Sequence, residues 1–316
     1  MASIISNVYK LAMKIYGAII GTDVDSLCKY LEKDRAATPS AKLYSECHIA
    51  KLLFNNKYSY YVIKKKGVKT HTKAIIYLPG GGFILPLTVT HFSYIERLSK
   101  TTNAVIYILL YPLSTKNYSS CFDINQFIVD FYKKLLKKFA ASDITIMGDS
   151  AGGTLALTGA YQIKLNNLPV PENIISISPC ARLNFSDWEA EAFSELDEVL
   201  PAALLTTAWK WYVGANDPTD PRFSPYFCDF KGMKNILIVI GSSESFYIPV
   251  IELSEKLRKA DVKHKLMIGK KMFHVFPLFA FPEGDKVNDV VFSLIAGKEK
   301  DGLSKFNNLK NCTYIN

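Results

Sequence analysis

Three side chains in this 316-residue chain occur in an order that suits acyl transfer. Ser150 lies in Gly148-Asp149-Ser150-Ala151-Gly152-Gly153, between the apolar run Ile144-Thr145-Ile146-Met147 and a helical stretch beginning near Thr154. A strand that passes straight into a helix through glycines must turn sharply, and it presents the central residue in a strained, exposed conformation. A serine hydroxyl is a poor nucleophile until a base takes its proton and a third group orients that base. The turn therefore predicts an acid and then a histidine further along the chain. Glu244 lies in Gly241-Ser242-Ser243-Glu244, directly after the apolar run 236–240, and His274 lies in Met272-Phe273-His274-Val275-Phe276-Pro277, after a run ending at Ile268. Both follow the C-terminal ends of predicted strands, the edge where open α/β sheets place ligands. Asp261 is the rival acid, but it falls in a helix-to-strand turn. His48, His71, His91 and His264 are upstream of the serine or inside a predicted strand, and read as structural.

Acyl transfer also needs donors aimed at the oxygen that becomes negative. Pro79-Gly80-Gly81-Gly82-Phe83 follows the run Ala74–Leu78, and its glycines let backbone N–H groups approach a substrate closely. The amides of Gly81, Gly82 and Ala151 are the expected oxyanion donors.

Positioning these residues requires a particular scaffold. Outer strands are expected over 47–54 and 59–64, the short, continuously apolar runs over 74–78 and 104–110 read as buried strands, and further strands are expected over 144–147, 174–178, 236–240 and 264–268. Helical periodicity falls between them: around Phe92, Ile95 and Leu98, over 122–139, from Thr154 to about Leu165, over 249–260 and over 286–296. The alternation predicts βαβ units and a mostly parallel sheet. Residues 46–184 and 216–297 form this core. Residues 185–215 break the rhythm, being rich in acids and aromatics (Asp187, Trp188, Glu189, Glu191, Trp209, Trp211, Tyr212) and helical without a strand, as a substrate-covering cap would be. Residues 1–45 read as N-terminal helices contributing to that cap, and residues 298–316 as a polar C-terminal tail. In the first of these helices Ile4, Val8, Leu11, Ile15 and Ile19 recur at helical spacing and predict one buried face. Packing on the protein is favoured over weak contact with a membrane surface, and Lys10 and Lys14 keep the stretch well short of the about 20 apolar residues a membrane helix needs.

The net charge of +9 arises from short lysine clusters spread over several elements, with no basic stripe carrying interleaved aromatics, which argues against nucleic-acid binding. The six cysteines lie far apart with no C-x-x-C pair, so a zinc site is not expected and buried reduced thiols in a cytoplasmic protein are the default.

At these motifs the chain resembles the hormone-sensitive-lipase-like branch of the α/β-hydrolases, and within it acetyl-ester hydrolases. The resemblance runs over roughly residues 1–297 and rests on the serine turn, Tyr77-Leu78-Pro79-Gly80-Gly81-Gly82, Tyr111-Pro112-Leu113, Asp217-Pro218 with Ser224-Pro225, Gly241 with Glu244, and His274-Val275-Phe276-Pro277. It implies the α/β-hydrolase fold: a mostly parallel eight-stranded sheet flanked by helices, under a helical cap. It further implies carboxylesterase action on short-chain acyl esters as small-molecule substrates, no cofactor, no metal, and the triad Ser150, Glu244 and His274. Three positions depart from the family pattern: Pro79 replaces a histidine before the glycines, Pro249 replaces a second acid, and Ala181 and Arg182 stand where an aspartate is usual. These departures motivate a rival expectation, a hydrolase-fold binding protein with impaired catalysis; a lipase, thioesterase or peptidase would use the same triad.

Overall fold

The structure, a computed structural model, describes residues 5–9, 11, 36–186, 189, 192, 195, 197, 199–200, 202–298 and 312–315. Its strands are β1 (Cys47–Phe54), β2 (Tyr58–Lys65), β3 (Ala74–Leu78), β4 (Val105–Leu110), β5 (Ile144–Asp149), β6 (Asn173–Ile177), β7 (Asn235–Gly241), β8 (His264–Gly269) and β9 (Cys312–Ile315). They form one sheet in the order β1-β2-β4-β3-β5-β6-β7-β8-β9. The six strands from β4 to β8 in that order are parallel, while β1, β2 and β9 are antiparallel to their neighbours. The helices are α1 (Ala41–Glu46), α2 (Val89–Thr102), α3 (Cys121–Leu136), α4 (Ala151–Leu165), α5 (Ala202–Val213), α6 (Tyr247–Lys259) and α7 (Pro282–Ala296).

The continuous apolar runs become central strands because both faces of the sheet are covered. Side chains alternate between the two sides. Ile76, Leu78, Ile144, Ile146, Ile236 and Ile238 pack in one core with α3, α4 and α6. Ile75, Tyr77, Met147, Leu237, Val239 and Met267 pack in the other with α1, α2 and α7. Phe131 of α3 anchors the first core, with its ring 4.8 Å from Tyr60, 5.4 Å from Phe54 and 5.5 Å from Tyr107.

The chain leaves β3 toward β4 on one side and enters β5 on the other, so the strand order reverses between β3 and β5. Loops after two such strands diverge and open a crevice. Here Leu78 pairs with Gly148, which brings the triple-glycine loop and the serine turn to the same crevice. The approach is tight. A Cβ on Gly152 would lie 1.9 Å from the Leu78 carbonyl oxygen, and one on Gly148 would lie 2.3 Å from the Gly152 carbonyl oxygen.

Two expectations are corrected. The sheet has a ninth strand, because Cys312–Ile315, inside the stretch read as a polar tail, pairs antiparallel with β8. Extending a sheet edge takes only unpaired backbone donors and acceptors, so no apolar run announces such a strand. In the N-terminal helix the expected face is turned outward where it is described: Val8 and Leu11 are about 60% exposed. Ser6 is buried instead, and the Tyr9 ring packs 5.1 Å from Phe279 and 5.7 Å from Phe281, so an aromatic cluster sets the docking face. Ile4 and residues 12–35, Ile15 and Ile19 among them, lie outside the described residues, as do Asp187, Trp188 and Glu191. Among the described residues no helix is long and apolar enough to cross a membrane.

Two outcomes follow from this packing. Gly152→Ala must force the α4 terminus away from β3, and overpacking of this kind costs about 1–3 kcal/mol or more, to be read as a fall in the urea midpoint or a loss of soluble protein. Phe131→Ala, which empties a ring-lined site in the first core, is expected to cost about 3–5 kcal/mol by the same measurement.

Candidate active site

Ser150 stands at the tip of the turn between β5 and α4 with φ 52° and ψ −124°, a conformation L-residues rarely adopt. Its N–H donates to the Ile177 carbonyl at 2.8 Å, which ties the turn to the end of β6. His274 comes from the loop after β8, and its Nε2 is 2.9 Å from Ser150 Oγ. Glu244 comes from the loop after β7, and its Oε2 is 2.9 Å from His274 Nδ1. The carboxylate can only accept, so Nδ1 carries the proton and Nε2 is free to take one from the serine. The structure thus brings together Ser150, Glu244 and His274 from three strand ends.

Several residues that sequence reasoning passed over hold this arrangement. Glu244 is fully buried, and its second oxygen, Oε1, accepts from the Gly241 N–H at 2.5 Å and the Ser178 hydroxyl at 2.8 Å. The Ser178 oxygen in turn accepts the Val275 N–H at 3.1 Å, so one hydroxyl links the acid to the loop that carries the base. Val275 itself sits at φ 51°, an outlier for a β-branched residue. Asp197, also buried, accepts the Ser245 N–H at 2.9 Å and hydroxyl at 3.1 Å through one oxygen, and the Val199 and Leu200 N–H groups through the other. It joins the 185–215 insertion to the loop of the acid. Apart from its acidic side chain, nothing in the local sequence marks Asp197, because its partners lie far along the chain.

Burial shifts both members of the acid–base pair. Desolvation raises the Glu244 pKa, with the His274 hydrogen bond opposing it. For His274 desolvation favours the neutral ring, but the hydrogen bond and charge of Glu244, with smaller contributions from Asp197 and Asp149, outweigh it and raise its pKa.

The triple-glycine loop borders the same space. Gly81 has φ 122°, a value that needs glycine, and Gly82 φ 60°, in the left-handed region that favours it. The N–H groups of Gly81, Gly82 and Ala151 have no protein acceptor among the described residues. Upstream, the Pro79 carbonyl accepts the Tyr111 hydroxyl at 2.5 Å. The Gly80 N–H lies 3.2 Å from both Asp149 Oδ1 and His91 Nε2. Thr88 occupies His91 Nδ1 with its N–H at 3.0 Å and its hydroxyl at 2.7 Å. His91 Nε2 therefore carries the ring proton and points it at Asp149 Oδ2, 3.3 Å away, leaving the Gly80 N–H to the carboxylate. Tyr77 donates to the same carboxylate at 2.5 Å. His91, read from sequence as structural, is thus a brace for this loop at one remove from Pro79.

Above the serine lies a cavity of about 360 Å³. Its walls are mostly apolar, with Leu183 and Phe185 on one side, Leu204, Leu205 and Trp209 of α5 on another, and His274 and Ser150 at its floor. No group of three His, Cys, Asp or Glu among the described residues could hold a metal ion. Cys47, Cys121, Cys180 and Cys228 are buried free thiols.

Residues 75–278 match a family described as alpha/beta hydrolase fold. An esterase of Acinetobacter venetianus is 30% identical over 223 residues, which cover 69% of this chain and 73% of that protein. An acetyl-hydrolase of Streptomyces hygroscopicus is 25% identical over 73% of this chain and 78% of its own length. Among solved structures, EstE5 soaked with p-nitrophenyl butyrate covers 97% of this chain and all of its own at a TM-score of 0.77 and 24% identity, a likeness of fold. An esterase of the bacterial hormone-sensitive lipase family superposes at a TM-score of 0.80 over 95% of this chain and all of its own, with 19% identity. Sheet order, crevice and sequence match agree, and the chain belongs to the alpha/beta hydrolase fold family.

Proposed function

We propose that the chain is a serine carboxylesterase that cleaves short-chain acyl esters through an acyl-enzyme. The observation that carries this reading is the pair of 2.9 Å hydrogen bonds joining Ser150, His274 and Glu244 at the floor of an apolar cavity. As Ser150 Oγ attacks the ester carbonyl, His274 Nε2 takes its proton, and it then passes that proton to the departing alcohol as the ester C–O bond breaks. A water molecule enters, gives a proton to His274 and attacks the acyl group; the acid leaves and Ser150 regains its hydrogen. Glu244 keeps the ring in the productive tautomer and stabilises the imidazolium. The carbonyl oxygen, negative in each tetrahedral intermediate, meets the amides of Gly81, Gly82 and Ala151, the last at the N-terminus of α4 where the helix dipole adds positive potential. The 185–215 insertion serves as a cap whose apolar side chains receive the hydrocarbon part of the ester. Relatives named esterase and acetyl-hydrolase support the substrate class. The Asp149–His91 brace at Gly80 favours a working oxyanion loop over an impaired one despite Pro79.

Purified protein is expected to hydrolyse p-nitrophenyl acetate and butyrate, and Ser150→Ala to lower kcat by about 10⁵–10⁶-fold with the fold retained and labelling by a fluorophosphonate abolished. A parent inert toward these esters, or an alanine variant as active as the parent, refutes the reading. The pH profile gives a second check. Only neutral His274 can accept the serine proton, so a raised pKa places the acid limb of kcat/KM above the ordinary histidine value of about 6.5. Glu244→Gln removes the charge that raises it, so the limb should move to lower pH while kcat falls by about 10⁴-fold. A limb that stays in place argues against the pairing.

A further inference from the structure

We propose that α5 clamps the oxyanion loop, with Tyr212 as the positioning residue, so that the Gly81 and Gly82 amides are held in register only while this helix is seated. The proposal rests on the esterase reading above and adds to it a residue that touches neither substrate nor triad.

The loop poses a mechanical problem. Gly81, Gly82 and Phe83 are consecutive residues at φ 122°, 60° and 66°, and Phe83 lacks the freedom of glycine. Such a run persists only where its surroundings over-determine it. The braces at Pro79 and Gly80 act upstream of the two donors. Downstream, the Phe83 carbonyl accepts the Ser114 N–H at 2.8 Å, and the Phe83 ring lies flat on Tyr212 with centroids 3.8 Å apart and planes 9° from parallel. Four residues earlier on the same helix face, Ala208 covers Gly82, where a Cβ would stand 3.1 Å from that of Ala208. The i, i+4 pair of α5 therefore sits on the second donor and on the residue after it.

Tyr212 is itself fixed. It is fully buried, and its carbonyl accepts the Ser119 hydroxyl, which ties the end of α5 to the segment that also holds Phe83. Its own hydroxyl is buried with no partner among the described residues, so the face of the ring, not the hydroxyl, makes the contact. The same helix presents Leu204, Leu205 and Trp209 to the cavity, so one element touches the acyl chain and sets the donors.

The test uses steady-state kinetics on p-nitrophenyl butyrate with the full chain. Tyr212→Leu and Phe83→Leu are each expected to lower kcat by about 10–100-fold, as misplacement of groups by about 1 Å does, with KM changed by less than about two-fold. Tyr212→Phe, which keeps the ring, should restore the parent kcat. Because both residues act through one stacked pair, the double leucine variant should lose no more than the worse single variant. The clamp is overturned if both leucine variants keep the parent kcat, if the loss lies in KM alone, if the two losses multiply, or if Tyr212→Phe is as slow as Tyr212→Leu. Should Tyr212→Leu fail to fold, Phe83→Leu and Tyr212→Phe decide the matter. A parent that cleaves no ester fails the esterase reading itself, which separates that failure from failure of the clamp in an active parent.

Discussion

The backbone of α4 passes beneath the end of β3 with no room for a side chain, and the site depends on that passage. Where the strand order reverses, Gly152 lies against the Leu78 carbonyl and Gly148 against Gly152. Any side chain at these points would separate the serine turn from the triple-glycine loop. Because the contact is between backbones, it leaves the distance between nucleophile and donors little freedom to vary. A rigid floor of this kind is what preorganised charge stabilisation requires, since donors that must first move contribute less at the transition state.

Above that floor the arrangement is electrostatic. Asp149, Asp197 and Glu244 are all buried near the crevice, and an unpaired carboxylate there would cost several kcal/mol. Each is offset by directed donors: Tyr77, Gly80 and His91 for Asp149; Ser245, Val199 and Leu200 for Asp197; Gly241, Ser178 and His274 for Glu244. Satisfying them links five strand-end loops and the insertion into one network. Their combined negative potential is felt by a single titrating base, and it outweighs the burial of the ring. Scaffold and acid–base tuning are thus the same set of hydrogen bonds.

Much of this was legible beforehand, for identifiable reasons. Strands buried on both faces read as unbroken apolar runs, so β3, β4 and β7 stand within a residue or two of their expected limits. Ser150, Glu244 and His274 stand out because each follows such a run, and strand ends on one edge of a parallel sheet must come together. What stayed hidden depends on distant partners. Nothing near Asp197 announces that Ser245 awaits it, and His91 resembles any helical histidine until Asp149 and Gly80 are placed beside it. The outward face of Val8 and Leu11 shows a different limit: spacing finds an apolar stripe, but the aromatic rings at Phe279 and Phe281 choose which side docks. The strand Cys312–Ile315 was hidden because an open edge recruits backbone with little regard for composition.

Four non-glycine residues around the crevice, Phe83, Ser150, Ser178 and Val275, all lie at positive φ, in the segments that follow β3, β5, β6 and β8. Each such conformation costs about 1–3 kcal/mol and persists only while its neighbours hold it. The crevice is therefore under tension, like a sprung latch set in a stiff frame. On warming, these segments gain more by relaxing than the strands beneath them do, so inactivation would precede melting of the sheet. Heat tolerance of the crevice and heat tolerance of the sheet are then expected to part company, the strained segments giving way first.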